Sequence, residues 1–354
     1  MIEKLVRPEL REFIPYNANQ IPHRIKLDAN ESPFDLPDAV REKLADYFRQ
    51  KPQINLYPDT DSIELRKSLA EFWDIDIDGI VVGTGSDQLI QVLVSVFVGH
   101  GDRVLCPVPS FGMYKLTTTI AGGIPVEYTL GEDYSYNAEK IISLANSEKA
   151  KLVFLCTPNN PTGNSIPMVD IIKVVEACRD CVIVIDEAYA EFSGETAISL
   201  TSKYENVVVL RTFSKAYGLA GIRCGYSISC RALALELNKI RPPYNISSVS
   251  QLIAKLVLEE KSTTDEQIDY IVKQREYLAN QLESIEGVTV YPSTANFLLV
   301  KVSSSREVNE RLIQKGILVR SYGSSPMLED CLRITVGLEE ENETLLKELK
   351  NILK

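Results

Sequence analysis

Five short apolar blocks constrain this chain more than any other feature. DRVLCPVP (102–109), IPVEYTL (124–130), KLVFLCTP (151–158), VIVIDEAY (182–189) and VVVLRTFS (207–214) are almost continuously apolar. A strand with one wet face alternates, whereas a strand buried on both faces does not. The blocks therefore predict a largely parallel sheet covered by helices on both sides. PMVDIIKVVEAC (167–178) has the spacing of a crossover helix between two of them. IVVGTG (80–85) reads as a further strand, and SDQLIQVLVSVFV (86–98) as a helix with Ser86 or Asp87 near its N-cap.

The rest of the chain is organised differently. Residues 1–50 read as an arm, with prolines at 15, 22 and 33, and an opening helix, DAVREKLADYFRQ. RPPY (241–244) precedes a long helical region from about 247 to 285. VTVYPSTANFLLVKV, ILVRSYG and CLRITVG are strand-like, and LEEENETLLKELKNILK is a terminal amphipathic helix. We therefore expect an α/β fold in three stretches. Residues 1–50 form an arm and part of a small domain, 51–245 a large domain, and 246–354 a smaller α+β domain.

At 354 residues the chain is long enough for two cores. Its net charge of −11 argues against general nucleic-acid binding. No apolar run approaches membrane-spanning length, and MIEKLVRPELREF lacks the apolar centre of a signal peptide, so a cytoplasmic protein is expected. Seven scattered cysteines suit buried reduced thiols, and two histidines in unrelated contexts do not make a metal site. Cys178 and Cys181 form a CxxC without a second pair to complete a zinc site.

Four segments carry candidate chemistry. GTGSD (83–87) joins a strand to a helix and offers N–H groups to a phosphate; a plain glycine turn explains it equally well. It lacks the third glycine of a dinucleotide fingerprint. In CTPNNPTG (156–163) the Asn160 amide can donate to an anionic oxygen, or simply make a turn. Asp186 follows four apolar strand residues, at the carboxyl end where α/β folds place ligands, and Tyr189 lies three residues on. It needs a cation or several donors. In RTFSKAYGLAGIRCGY (211–226), Lys215 ends a strand among apolar residues. There its pKa should fall, making the amine a nucleophile toward carbonyls. Thr212, Ser214 and Arg223 are suited to a phosphate. A carbonyl-reactive lysine, an acid for a ring N–H⁺, an amide and a phenol for a ring oxygen, and a phosphate cup together describe the needs of pyridoxal 5′-phosphate.

IPYNAN, KLDANESPF, NLYPD, GTGSDQLI, PSFGMY, TPNNPTG, DEAYAEF, RTFSKAYGLAGIRCGY and CLRITVG occur in that order. By these motifs the chain resembles the fold-type I pyridoxal-phosphate aminotransferases (class II), and among them the histidinol-phosphate aminotransferase family. The resemblance runs nearly end to end. It implies a large domain with a mostly parallel, seven-stranded type of sheet between helices, and a smaller C-terminal domain. Lys215 would hold the cofactor covalently, Asp186 its ring nitrogen, and Asn160 and Tyr189 its ring oxygen. Gly85, Ser86, Asp87, Thr212, Ser214 and Arg223 would hold its phosphate. Tyr57 would reach that phosphate from a second subunit, giving a homodimer with shared sites. Phe111 would stack on the ring, where many relatives carry tyrosine.

Arg333 matches the arginine that binds a substrate carboxylate in this fold. Arg320, Tyr16 and Asn160 would add further substrate contacts. The implied substrates are a phosphorylated amino alcohol, L-histidinol phosphate, and the 2-oxoglutarate/glutamate pair. An aromatic aminotransferase, or a threonine-phosphate decarboxylase, would share most of these residues.

Overall fold

The computed structural model describes residues 2–11, 13, 21–323 and 325–354, so the expected contact Tyr16 lies outside the described residues. In chain order the strands are β1 (Ile25–Leu27), β2 (Ile80–Gly83), β3 (Arg103–Val108), β4 (Ile124–Thr129), β5 (Leu152–Cys156) and β6 (Val182–Asp186). They continue with β7 (Val207–Thr212), β8 (Gly225–Ser229), β9 (Val288–Val290), β10 (Phe297–Val302), β11 (Ile317–Ser321) and β12 (Cys331–Thr335).

Seven of them form one sheet in the order β2-β8-β7-β6-β5-β3-β4. The run from β4 to β7 is parallel, and β8 lies antiparallel between β7 and β2. Four of the five apolar blocks form its interior strands, β3, β5, β6 and β7, while IPVEYTL forms the edge strand β4, where Ile124 is 45% exposed and the expectation of burial on both faces does not hold. Ile183, Ile185, Val207 and Val209 enter one core layer, while Val184, Val208 and Leu210 enter the other. Each such side chain, fully buried, contributes about 1.5–3 kcal/mol. The helix Met168–Ala177 covers one layer with Ile171, Val174 and Val175. The helix Gly85–Phe97 covers the other with Leu89, Ile90 and Leu93.

A five-stranded sheet, ordered β1-β11-β12-β10-β9, stands apart from the first. Its β1 comes from the chain's first thirty residues and pairs parallel with β11, Ile25 opposite Ile317. Next in the sheet, β12 places Arg333 directly opposite Arg320 of β11.

Three local features differ from the sequence reading. The helical region after residue 247 is two helices, Ser248–Glu259 and Lys261–Glu283, broken at Glu260 (ψ 41°). Lys43 pairs with both Glu259 and Glu260 at the bend. The stretch from Val288 divides into β9 and β10 around Pro292, which has no N–H for a ladder. Lys215 lies past the end of β7, because Thr212 Oγ1 accepts the Ser214 N–H at 3.1 Å and turns the chain away from the sheet. No helix among the described residues is long and apolar enough to cross a membrane.

Candidate active site

β2, β5, β6 and β7 all end on the same side of the large sheet, and the candidate residues gather there. Asp186 is the last residue of β6 and is 3% exposed. Its Oδ2 accepts the Tyr114 hydroxyl at 2.6 Å, and its Oδ1 the Ala188 N–H at 3.2 Å. No lysine or arginine among the described residues pairs with it. Burial pushes this carboxyl up to about 6, against the two hydrogen bonds that favour its charge. The sequence reading did not single out Tyr114. Its ring lies parallel to Phe154 at 4.4 Å and edge-on to Phe111 at 5.6 Å.

Tyr114→Phe keeps those ring contacts and removes only the donor. Asp186 should then hold its proton to higher pH. The acid limb of the kcat/KM profile should move up by about one unit, the scale of a charge-assisted hydrogen bond. An unmoved limb would show that the hydroxyl does not tune Asp186.

Lys215 Nζ donates to Ala29 O at 3.0 Å and lies 5.7 Å from the centre of the Tyr189 ring. Burial, and then the positive charge of Arg333, lower its pKa to about 8. Tyr189 is buried, and its hydroxyl accepts from Asn30 Nδ2 at 3.0 Å. Burial holds the phenol above its ordinary pKa, so it stays protonated near neutral pH. Asn30 sits in the left-handed region (φ 55°), which asparagine tolerates, and its carbonyl accepts from Asn296. Asn30 was not singled out in the sequence either.

Gly83, Gly225 and Thr212 stand in one row across β2, β8 and β7. Beyond that row the helix Gly85–Phe97 starts, with Thr84 rather than Ser86 or Asp87 at its N-cap. Glycine is required twice here. A Cβ on Gly225 would come 2.5 Å from the Ser86 nitrogen, and one on Gly85 (φ 74°) would come 2.7 Å from Arg223 Nη2. Arg223 also donates to Ser214 Oγ at 3.3 Å and Asp87 Oδ2 at 3.2 Å. Backbone N–H groups, hydroxyls and a guanidinium thus lie close together at a helix N-terminus, groups of the kind that bind anions.

On the other side, Arg333 of β12 donates to Asn160 Oδ1 and Asp28 O, both at 2.6 Å, and lies 5.5 Å from the Phe297 ring centre. It is buried, and its Nε has no hydrogen bond. One chain thus brings Lys215, Asp186, Asn160, Tyr189 and Arg333 close to one another, with Asp87 and Arg223 near enough to act on the charge of Lys215. Tyr57 is not among them. It stacks on Tyr244 at 4.5 Å and is 81% exposed.

These residues fit pyridoxal 5′-phosphate. A buried carboxylate has no cation among the described residues, a lysine has its pKa lowered to about 8, and two glycines beside them allow close backbone approach.

The family model for aminotransferase class I and II matches residues 22–349. A histidinol-phosphate aminotransferase of Ruminiclostridium cellulolyticum is 54% identical over 351 residues, covering 99% of this chain and 98% of the relative. One of Caldanaerobacter subterraneus is 43% identical over 353 residues, covering 100% of both. The crystal structure of histidinol-phosphate aminotransferase from Sinorhizobium meliloti, in complex with pyridoxal-5′-phosphate, superposes with a TM-score of 0.88. It shows 25% identity over 98% of this chain and 97% of that one.

Proposed function

We propose, from the premise that the chain belongs to the class I and II aminotransferase family, that it is a histidinol-phosphate aminotransferase. It exchanges the amino group between L-histidinol phosphate and 2-oxoglutarate, a step of histidine biosynthesis, with pyridoxal 5′-phosphate as its cofactor. The observation that carries the substrate reading is the pair Arg320 and Arg333, facing each other across β11 and β12. Two guanidinium groups suit a phosphate dianion better than a lone carboxylate.

When bound, the cofactor supplies a carbonyl for the substrate amine and a ring that withdraws electron density from its Cα. The chain does the rest. Asp186, a carboxylate above about pH 6, would hold the ring nitrogen. Asn160, whose Oδ1 is engaged by Arg333, would have its amide nitrogen free for the ring oxygen, with the Tyr189 hydroxyl in support. Gly85, Ser86, Asp87, Thr212, Ser214 and Arg223 would hold the phosphate, and Phe111 would pack against the ring. Lys215 Nζ would be the base for the substrate's Cα proton. Arg333 and Arg320 bind the phosphate ester of one substrate and the carboxylate of the other.

The site is completed by a second copy of the chain. Support comes from the surface around Tyr57, where Ile54 (54% exposed), Leu56 (56%) and Tyr244 (46%) are also uncovered. Apolar side chains gathered on one surface mark an interface. Tyr57 would then reach the phosphate held by the partner. A sedimentation mass of one chain at working concentration would remove this part of the reading.

Adding L-histidinol phosphate to the yellow holoenzyme should bleach its visible band, and 2-oxoglutarate should restore it. A band that ignores histidinol phosphate but answers an aromatic amino acid would move the assignment to an aromatic aminotransferase. Release of CO₂ from threonine phosphate would move it to a decarboxylase.

A further inference from the structure

DEAYAEF and RTFSK hold three charged residues that the chemistry above leaves unused: Glu187, Glu191 and Arg211. The side chains of all three are buried, that of Glu191 being 7% exposed. Arg211 Nη1 meets Glu187 Oε2 at 2.9 Å, and Arg211 Nη2 lies 3.3 Å from Glu191 Oε1. Glu187 also accepts from Thr196 Oγ1 at 2.7 Å and from the Ala197 N–H at 2.5 Å. The Arg211 guanidinium lies 4.6 Å from the ring centre of Trp73, whose Nε1 donates to Tyr226 at 2.9 Å.

The location of this cluster follows from strand alternation. Asp186 and Thr212 end β6 and β7 with side chains on one face of the sheet. Glu187 and Arg211, each one residue removed, belong to the opposite face, with Ile185 and Val209. The Glu187 N–H continues the β6–β7 ladder by donating to Leu210 O at 2.9 Å. The ion pair therefore clips together, from behind, the two strand ends that carry Asp186 and Thr212 in front.

Stability alone accounts poorly for such a cluster, because burying three charges costs about as much as their attraction returns. Two acids against one guanidinium leave an excess negative charge, and neither Glu191 oxygen has a hydrogen bond. Burial raises the pKa of both carboxyls. Apolar residues of equal volume would pack here without these costs.

We infer that Arg211 is a positioning residue for the cofactor, holding through Glu187 and Glu191 the separation between Asp186 and the phosphate-binding turn at Thr212. The inference rests on the pyridoxal-phosphate reading. The cofactor's ring nitrogen and phosphate are joined by a fixed covalent frame, so a shift between β6 and β7 would loosen one contact when the other is made.

Two variants test it. Glu187→Gln keeps the acceptor for Ala197 N–H but turns an amide toward Arg211, and leaves Arg211 and Glu191 as a balanced pair. Arg211→Lys keeps the charge but loses the fork that spans both acids. A cavity of about 280 Å³ lined by Trp73, Glu191, Arg211 and Tyr217 lies beside the cluster, so water can solvate the altered groups. Trp73 is the one tryptophan of the chain, and its emission reports whether the cluster has changed.

The readouts are the pyridoxal-phosphate Kd of the apoprotein, the pH midpoint of the holoenzyme's visible band, and the thermal midpoint of the apoprotein. We expect Kd to rise roughly tenfold or more, the scale for groups that orient a ligand's direct contacts. The band midpoint should shift, while the thermal midpoint changes little. Unchanged Kd and band midpoint in a folded variant with altered Trp73 emission would overturn the inference. So would failure of both variants to fold, since the cluster would then maintain the whole domain. A parent protein that does not take up pyridoxal phosphate would instead sink the functional reading itself.

Discussion

Lys215→Ala is expected to lower kcat/KM for transamination by about 10⁴-fold or more, the scale of a lost proton-transfer group that is also the nucleophile. The fold should survive, because removing a buried amine also removes its desolvation cost. Cofactor affinity should fall less steeply than turnover, since the phosphate cradle and Asp186 remain. Borohydride treatment should fix pyridoxal phosphate to the parent chain and not to the variant, as read by protein mass. The amine's pKa of about 8 adds a sign. Only the neutral form attacks a carbonyl, so cofactor capture by the apoprotein should accelerate as pH rises through about 8. Undiminished turnover in the variant would reject the assignment of Lys215.

The second large effect is expected from Arg333→Ala. Arg333 is 8% exposed and engaged by Asn160 and Asp28. Truncating one partner of a buried, hydrogen-bonded charge contact costs about 2–5 kcal/mol. That corresponds to a loss of roughly 30-fold to 5,000-fold in kcat/KM for L-histidinol phosphate. Glutamate should lose a similar factor if, as proposed, one arginine serves both anions. The yellow band should remain, because Lys215, Asp186 and the proposed phosphate-binding residues keep their side chains, although loss of the Arg333 charge should raise the Lys215 pKa. Arg333→Lys should rescue little, since an ammonium cannot reproduce the planar fork. Loss confined to glutamate would mean that Arg320, not Arg333, carries the phosphate ester.

The middle of the large sheet was legible because its strands are buried on both faces and interrupted by little else; the edge strand β4 shares the apolar composition without that burial. VIVID and VVVLRT read as strands from composition alone, and Asp186 stands out as the one acid that ends such a run. The break at Glu260 was not legible. No glycine or proline marks it, and the lysine that pins it, Lys43, comes from a helix more than two hundred residues earlier. Tyr114 and Asn30 were missed for the same physical reason. Their partners lie 72 and 159 residues away, Asp186 and Tyr189 respectively, and no local pattern announces such a hydrogen bond. The roles of Arg333 and Arg320 rested on family resemblance. Periodicity places each on a strand, but only the register of β11 with β12 makes them neighbours.

Three successive residues after β1 each hold a different working group. Asp28 O takes Arg333, Ala29 O takes Lys215, and Asn30 Nδ2 takes Tyr189. In mechanical terms this tripeptide is a single rail with three attachments, bolted to the small sheet through β1. A one-residue deletion in it would put Arg333, Lys215 and Tyr189 out of register together.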